Sequence, residues 1–385
     1  MKRVSISPDL LRWARERAGL HVEDLTGRFP KLAAWERGDL SPTFNQLEAF
    51  AKVTHVPFGF LFLPEPPDLP MPIPDFRTLR NRQPGAVSPD LLDTIYAMQH
   101  RQAWLREERL DGDAEPRAFV GSARLSDDPE AIGREMRRLL GLGDGWAAQV
   151  RSWQEAVSAL RGAIEGQGVI AVINGIVGND THRRLNVEEF RGFALTDDLA
   201  PLIFVNGADA KSAQMFTLAH ELAHLWLGAE GAGLSGFPGI FPDGGRVETF
   251  CDQAAAEFLV PAAELRALWP QVKRDASPFE TLAGEFKVSP IVIGRRAMDL
   301  GLTDRAAFFD FYDACIQREK KQRTQGIGGG SFYNSQNLRV GRLFAIQVMR
   351  AAKEGRIGFK DAYDLTGLHG GTFQEYARRL GVDLP

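Results

Sequence analysis

Apolar positions follow three successive rhythms along the chain. Within residues 1–62 they recur at helical spacing in short bursts: Leu10, Leu11, Ala14 and Ala18 lie between an N-cap at Ser7 or Asp9 and Gly19, and Leu47, Phe50 and Ala51 follow Thr43. This predicts several short helices. Between 88 and 165 the helical intervals lengthen, through Leu91, Leu92, Ile95 and Met98, then Ile132, Met136, Leu139 and Leu140, then Trp153, Val157 and Leu160, with Trp104, Trp146 and Trp153 read as core. The period then shifts towards strands at 168–173, 190–195 and 201–205, separated by polar and glycine-containing turns. His182 falls in the first of these turns and reads as a surface residue. Helical spacing returns at 215–227, 247–261 and 279–302.

Two stretches punctuate this pattern. The run 64–74 holds too many prolines to be helical and reads as a stiff linker, and the glycine-rich 326–331 separates a charged run at 318–323 from a new helical pattern near Asn337. The predicted class is α+β: a mainly helical, multi-domain chain with a small, mostly antiparallel sheet packed on a helix pair. The expected segments are a helical module at 1–62, a linker at 63–87, a helical connecting region at 88–165, a core at 166–275, a helical segment at 276–325 and a C-terminal helical unit at 326–385.

Composition narrows the function classes. The chain has 385 residues, 44% of them hydrophobic and 25% charged, which is the range of ordinary globular domains. With 46 basic against 50 acidic residues, the net charge of -4 gives no overall attraction to phosphate or anionic lipid. Any nucleic-acid contact must be local, and residues 1–60 carry 9 Lys or Arg against 7 Asp or Glu. No apolar run reaches the length of a membrane span, the N-terminus lacks an apolar export segment, and two cysteines make no disulfide framework. A cytoplasmic protein without a membrane partner is expected.

The chemistry concentrates at His220-Glu221-Leu222-Ala223-His224, an HExxH pattern inside a helix-compatible segment. Histidines four apart share one helical face, so both rings can reach one cation, while Glu221 can face a metal-bound water without being a ligand. With 7 histidines in the chain, chance supplies this pattern rarely. A catalytic zinc wants a third protein ligand and an open position. The next helical segment, 247–261, offers Glu248 and Asp252 four apart on one face, an ExxxD pair that resembles that of thermolysin-type zincins; the resemblance implies Glu248 as third ligand and Asp252 as the residue that orients a histidine. Cys251 lies on a neighbouring face and reads as a small buried side chain rather than a soft ligand, and Glu257 as solvated. Peptide-bond hydrolysis follows, with zinc activating water and Glu221 carrying its proton to the leaving amine. Residues 228–246, with seven glycines and two prolines, read as an irregular stretch bordering the cleft. No residue stands out as oxyanion donor.

The segments "FTLAHELAHLWLG" and "VETFCDQAAAEFLVP" resemble the ImmA/IrrE family of zinc metallopeptidases, and "FETLAGEFKVSPIVIGRRAMDLGL" resembles the helix-turn-helix-like stretch that follows the family's core. The chain departs from the family's usual Asn or Asp-x-Phe-Ala step at Asp252-Gln253-Ala254-Ala255, which alters packing more than chemistry. The resemblance implies a regulatory protease that cleaves a repressor or neighbouring-gene product. Residues 1–62, with "VEDL" and "WERG", resemble an XRE-type helix-turn-helix domain, but only 11 steps separate Leu25 from Glu36, short by about one helical turn. Arg28, Lys31 and Arg37 are the candidate nucleic-acid contacts, expected to give weak and poorly sequence-specific binding. The alternative function is an operon autoregulator or antitoxin that binds DNA or a toxin, with little protease activity. Self-association is compatible with either reading.

Overall fold

The structure, a computed structural model, describes residues 3–67, 87–228, 234–235, 245–322 and 336–384. Most of the predicted linker at 63–87 and most of 228–246 lie outside these residues. Two compact units divide at Tyr96/Ala97, within one long helix.

The first unit opens with α1 (Pro8–Arg17), α2 (Val22–Leu25), α3 (Leu32–Glu36) and α4 (Phe44–Thr54), followed by a 3-10 turn at Phe58–Phe62. Pro8 starts α1 where its missing N–H costs nothing, and Gly19 leaves the helix at φ +68°. At α4 the Thr43 backbone N–H donates to Gln46 Oε1 (2.9 Å) while Thr43 Oγ1 accepts from the Gln46 N–H, so two otherwise orphaned donors are satisfied together. Leu11, Ala14, Leu25, Leu32, Trp35, Leu47 and Phe50 form the core. Inside it, Arg15 grips Glu36 through Nε–Oε1 (2.7 Å) and Nη2–Oε2 (3.0 Å), a paired and buried charge that locks α1 to α3.

The second unit holds the rest of α5 (Pro89–Asp111), then α6 (Pro129–Leu139) and α7 (Trp153–Gly166). Asp128 and Ser152 cap the latter two, with Pro129 filling the first turn of α6. The strands are β1 (Ile170–Asn174), β2 (Ile176–Val177), β3 (Asp180–Arg184), β4 (Gly192–Leu195) and β5 (Leu202–Asn206). After them come α8 (Lys211–Leu227), β6 (Leu234–Ser235), α9 (Gly245–Leu259), α10 (Ala262–Val272), α11 (Pro278–Phe286), α12 (Pro290–Asp299) and α13 (Arg305–Gln322). The main sheet has the order β1-β5-β4-β6, with β1 parallel to β5 and the other pairs antiparallel. Thus the α+β class holds, with one parallel pair in register from Ile170↔Leu202 to Asn174↔Asn206. Every residue of β1, β4 and β5 is buried, which explains their continuous apolar runs. β2 and β3 pair as a separate hairpin, so the first expected turn is itself a strand pair and His182 lies exposed on β3.

Beyond α13, a π-helical turn at Asn337–Gly341 packs against β1, and helices Arg342–Lys353, Phe359–Thr366 and Gly370–Arg379 follow within the same unit. Buried Arg101 of α5 ties them down by donating to the carbonyls of Leu365 (3.1 Å) and Arg339 (3.0 Å). One core expectation fails. Trp146 is half-buried against the main core and Trp104 against buried Phe344, but Trp153, the first residue of α7, is 36% exposed and faces the Lys287 ammonium at 5.7 Å. A tryptophan in the first turn of a helix has no preceding turn to pack on, so helical spacing alone overstates its burial.

Candidate active site

α8 carries His220, Glu221 and His224. All residues from Gln214 to Leu227 are buried, because the helix contacts β4 and β5 as well as α7 and α9. Its start is held by Gln214, whose Nε2 donates to the carbonyls of Asp209 (2.7 Å) and Gly207 (3.1 Å). Its end is held by Gly228 at φ +63°, with the N–H turned back to the carbonyls of His224 and Leu225. The strap at 119–123 closes over this end: Gly121 and Ala123 donate to the carbonyls of Leu225 and Trp226 (both 2.9 Å). Gly121 and Gly228 meet backbone to backbone, where a side chain on Gly228 would lie 2.6 Å from the Gly121 Cα.

The four-residue spacing places the two imidazoles side by side, with Nε2 to Nε2 3.0 Å apart. α9 brings Glu248 to the same point: Oε2 lies 3.2 Å from His220 Nε2 and Oε1 3.5 Å from His224 Nε2. The donor atoms of these three residues all lie within 4.8 Å of one another. One turn further along α9, Asp252 Oδ1 lies 2.9 Å from the opposite nitrogen of His220, Nδ1. Burial works against a proton on His220, but Asp252 and Glu248 outweigh it and hold the ring well above the ordinary histidine range. A cation between the rings removes that conflict, so the donor set fits zinc: two imidazole nitrogens and one carboxylate, with a carboxylate behind one ring.

Glu221 is fully buried, and its carboxylate lies against Gly192 of β4, where a Cβ would come 2.9 Å from Glu221 Oε1 and 2.6 Å from Thr217 Cγ2. This bare stretch of strand was not legible in the sequence; the only hint was a glycine inside an apolar strand run. Cys251 is fully buried in the main core, where burial first and then the carboxylates of Glu248, Glu221 and Asp252 raise its thiol well above the usual range. It remains a neutral packing residue.

Glu257 corrects an expectation. Rather than solvated, it is 3% exposed, ion-paired with Arg296 of α12 and, at 3.4 Å, with Arg134 of α6. Its Oε2 also accepts the Ala262 N–H (3.0 Å) at the start of α10. The alanines of α9 receive α6 closely, since a side chain on Gly133 would lie 2.5 Å from the Ala254 carbonyl. In the stretch between α8 and α9, expected to lack regular structure, Leu234 and Ser235 pair with Phe193 and Gly192 as β6. Gly228 apart, the other residues of that stretch lie outside the described residues.

Arg28, Lys31 and Arg37 are all exposed in the first unit and remote in sequence from these residues. Arg28 covers the Phe29 ring at 5.7 Å, Lys31 precedes α3, and Arg37 pairs with Asp39 at 2.8 Å.

Residues 179–298 match the profile of a peptidase family described as Peptidase_M78, an IrrE N-terminal-like domain. That stretch contains α8, α9 and the helices through most of α12, so the part of the chain that carries the site is similar to this metallopeptidase family. Residues 340–379 match a domain of unknown function, DUF8813. Neither match reaches residues 1–62. No curated protein and no solved structure matches the chain.

Proposed function

We propose that the chain is a zinc-dependent regulatory endopeptidase of the cytoplasm that hydrolyses a protein partner, such as a repressor or the product of a neighbouring gene. The observation that carries this reading is the convergence of His220 Nε2, His224 Nε2 and the Glu248 carboxylate, with Asp252 on the far nitrogen of His220. Zinc in such a site supplies Lewis acidity that polarises a scissile carbonyl and makes water nucleophilic near neutral pH. Glu221 accepts the water proton at its carboxylate and delivers it to the leaving amine. Asp252 fixes the orientation of His220 by holding Nδ1, which leaves Nε2 directed at Glu248 and His224. The buried surroundings of Glu221 keep bulk water from competing for its carboxylate.

Glu221→Gln tests the assignment because the amide keeps the shape and cannot take the proton. Incubated with the neighbouring-gene product and zinc, wild type should yield a single cut. The variant should retain zinc and thermal stability while losing at least a hundredfold in rate, within the range for general-base removal. Unimpaired cleavage by Glu221→Gln would refute the role.

A further inference from the structure

Away from the zinc-facing side chains, three arginines lie at the loop between β4 and β5: Arg106 and Arg109 by their side chains, and Arg117 by its backbone N–H, which donates to the Asp198 carbonyl (2.7 Å). Arg106 and Arg109 lie one turn apart on α5, Arg117 follows the helix, and Asp197 sits in the loop between β4 and β5. Asp197 is already committed: Oδ2 lies 2.9 Å from Arg106 Nε, and Oδ1 accepts the N–H groups of Leu199 (2.9 Å) and Ala200 (2.7 Å). Among the described residues, Arg109 donates only to the Leu199 carbonyl. Arg117 has no carboxylate partner among the described residues, and its Nε is shielded from solvent without an acceptor. Both guanidiniums crowd the Cα of Gly168, which stands at φ +85°. A Cβ there would lie 2.9 Å from Arg117 Nε, 3.1 Å from Arg117 Cζ and 3.4 Å from Arg109 Nη2. Burial and then the charge of Arg117 push Arg109 down to about 10, with Asp197 opposing them.

We propose that Arg109 and Arg117, over the bare backbone of Gly168, form a binding site for a dianionic phosphoryl or sulfuryl group. Two like charges held together at a half-buried position call for an anion between them, and Asp197, the carboxylate that acts on Arg109, is spent on Arg106 and on backbone N–H groups. The excess of two positive charges selects a dianion, since a carboxylate neutralises only one. Guanidinium forks match the oxygens of a tetrahedral oxyanion. None of these residues faces zinc or takes part in hydrolysis, so the site stands independently of the peptidase reading.

The test is calorimetric titration of the full-length protein with sulfate, inorganic phosphate and acetate at constant ionic strength set by chloride. Sulfate and phosphate should saturate at one site per chain, with acetate at least tenfold weaker. Arg117→Met, which keeps the apolar stem, should weaken sulfate at least tenfold, whereas Arg138→Met, which removes an exposed charge from α6, should leave it unchanged. If Arg117→Met does not fold, Arg117→Lys, which keeps charge but loses the fork, should weaken sulfate at least threefold. Equal loss in both methionine variants would mean that net charge alone is responsible, and equal affinity for acetate would mean that the site takes carboxylates. Either result, an Arg117→Lys variant that binds like wild type, or an absence of saturable sulfate binding overturns the proposal.

Discussion

His220 offers its two ring nitrogens to two different carboxylates, Nε2 to Glu248 at 3.2 Å and Nδ1 to Asp252 at 2.9 Å. The two acids therefore do different work although they sit four apart on one helix face. Glu248 also approaches His224, on the side where the donors converge, and Asp252 sits behind the ring. Glu248→Ala should remove most of the zinc, because it deletes a donor. Asp252→Ala should still bind zinc with affinity lowered by about 10–100-fold, the usual cost of losing the group that orients a ligating histidine. Metal content after dialysis against a graded chelator decides it, and the reverse order would make Asp252 the ligand. Since the carboxylates hold His220 well above the ordinary histidine range, metal must displace its proton, so zinc affinity should fall as pH is lowered. These four residues were legible in the sequence because the α-helical repeat converts i,i+4 spacing directly into a shared face. Gly192 was not, because its role depends on Glu221 arriving from another element 29 residues away.

At the scale of elements, the position of α9 decides whether Glu248 and Asp252 meet α8 at all. Buried Glu257 does much of that positioning: its carboxylate joins α9 to Arg296 of α12, to Arg134 of α6 and to the first turn of α10. A buried ion pair contributes little against an apolar substitute, but removing one partner strands the other charge at a cost of about 3–5 kcal/mol. Glu257→Ala should therefore destabilise the second unit by roughly that amount. Arg296→Ala should do the same, and the double variant should cost less than the two single losses combined. Denaturant melts of the four proteins measure this, and strict additivity would rule out the pair as a coupled unit. The sequence misled at Glu257 because its partner Arg296 lies 39 positions away, so an acid on the less apolar side of a helix reads as solvated. The parallel pairing of β1 with β5 was hidden for a similar reason: each strand was legible from its apolar run, but which strands pair depends on contacts across 32 residues.

At the scale of the whole molecule, the first unit could add nucleic-acid recognition to the proposed peptidase. Its basic excess is small, and several of its guanidiniums are engaged within the unit: Arg15 by buried Glu36, Arg12 by Asp9 and the Glu36 carbonyl, and Arg37 by an exposed pair with Asp39. α2 is a single turn of four residues and α3 has five, so little helix is available to enter a major groove, where base-reading side chains must project. Arg28 and Lys31 are exposed and suited to phosphates, and so is Arg37 once a phosphate replaces Asp39 in its exposed pair; such contacts position a protein but do not specify sequence. With about three such contacts, the logarithm of the binding constant should fall with the logarithm of salt at a slope of roughly -3, since each contact contributes about -0.9 on duplex DNA. Titration of the full-length protein against its own promoter and a scrambled duplex at two salt concentrations should show nearly equal affinities. Replacing Arg28, Lys31 and Arg37 together with alanine should flatten the salt dependence on both duplexes alike. A promoter preference of about a thousandfold or more, surviving at physiological salt, lies in the range of true specific binders and would make the unit a transcription factor despite its short helices.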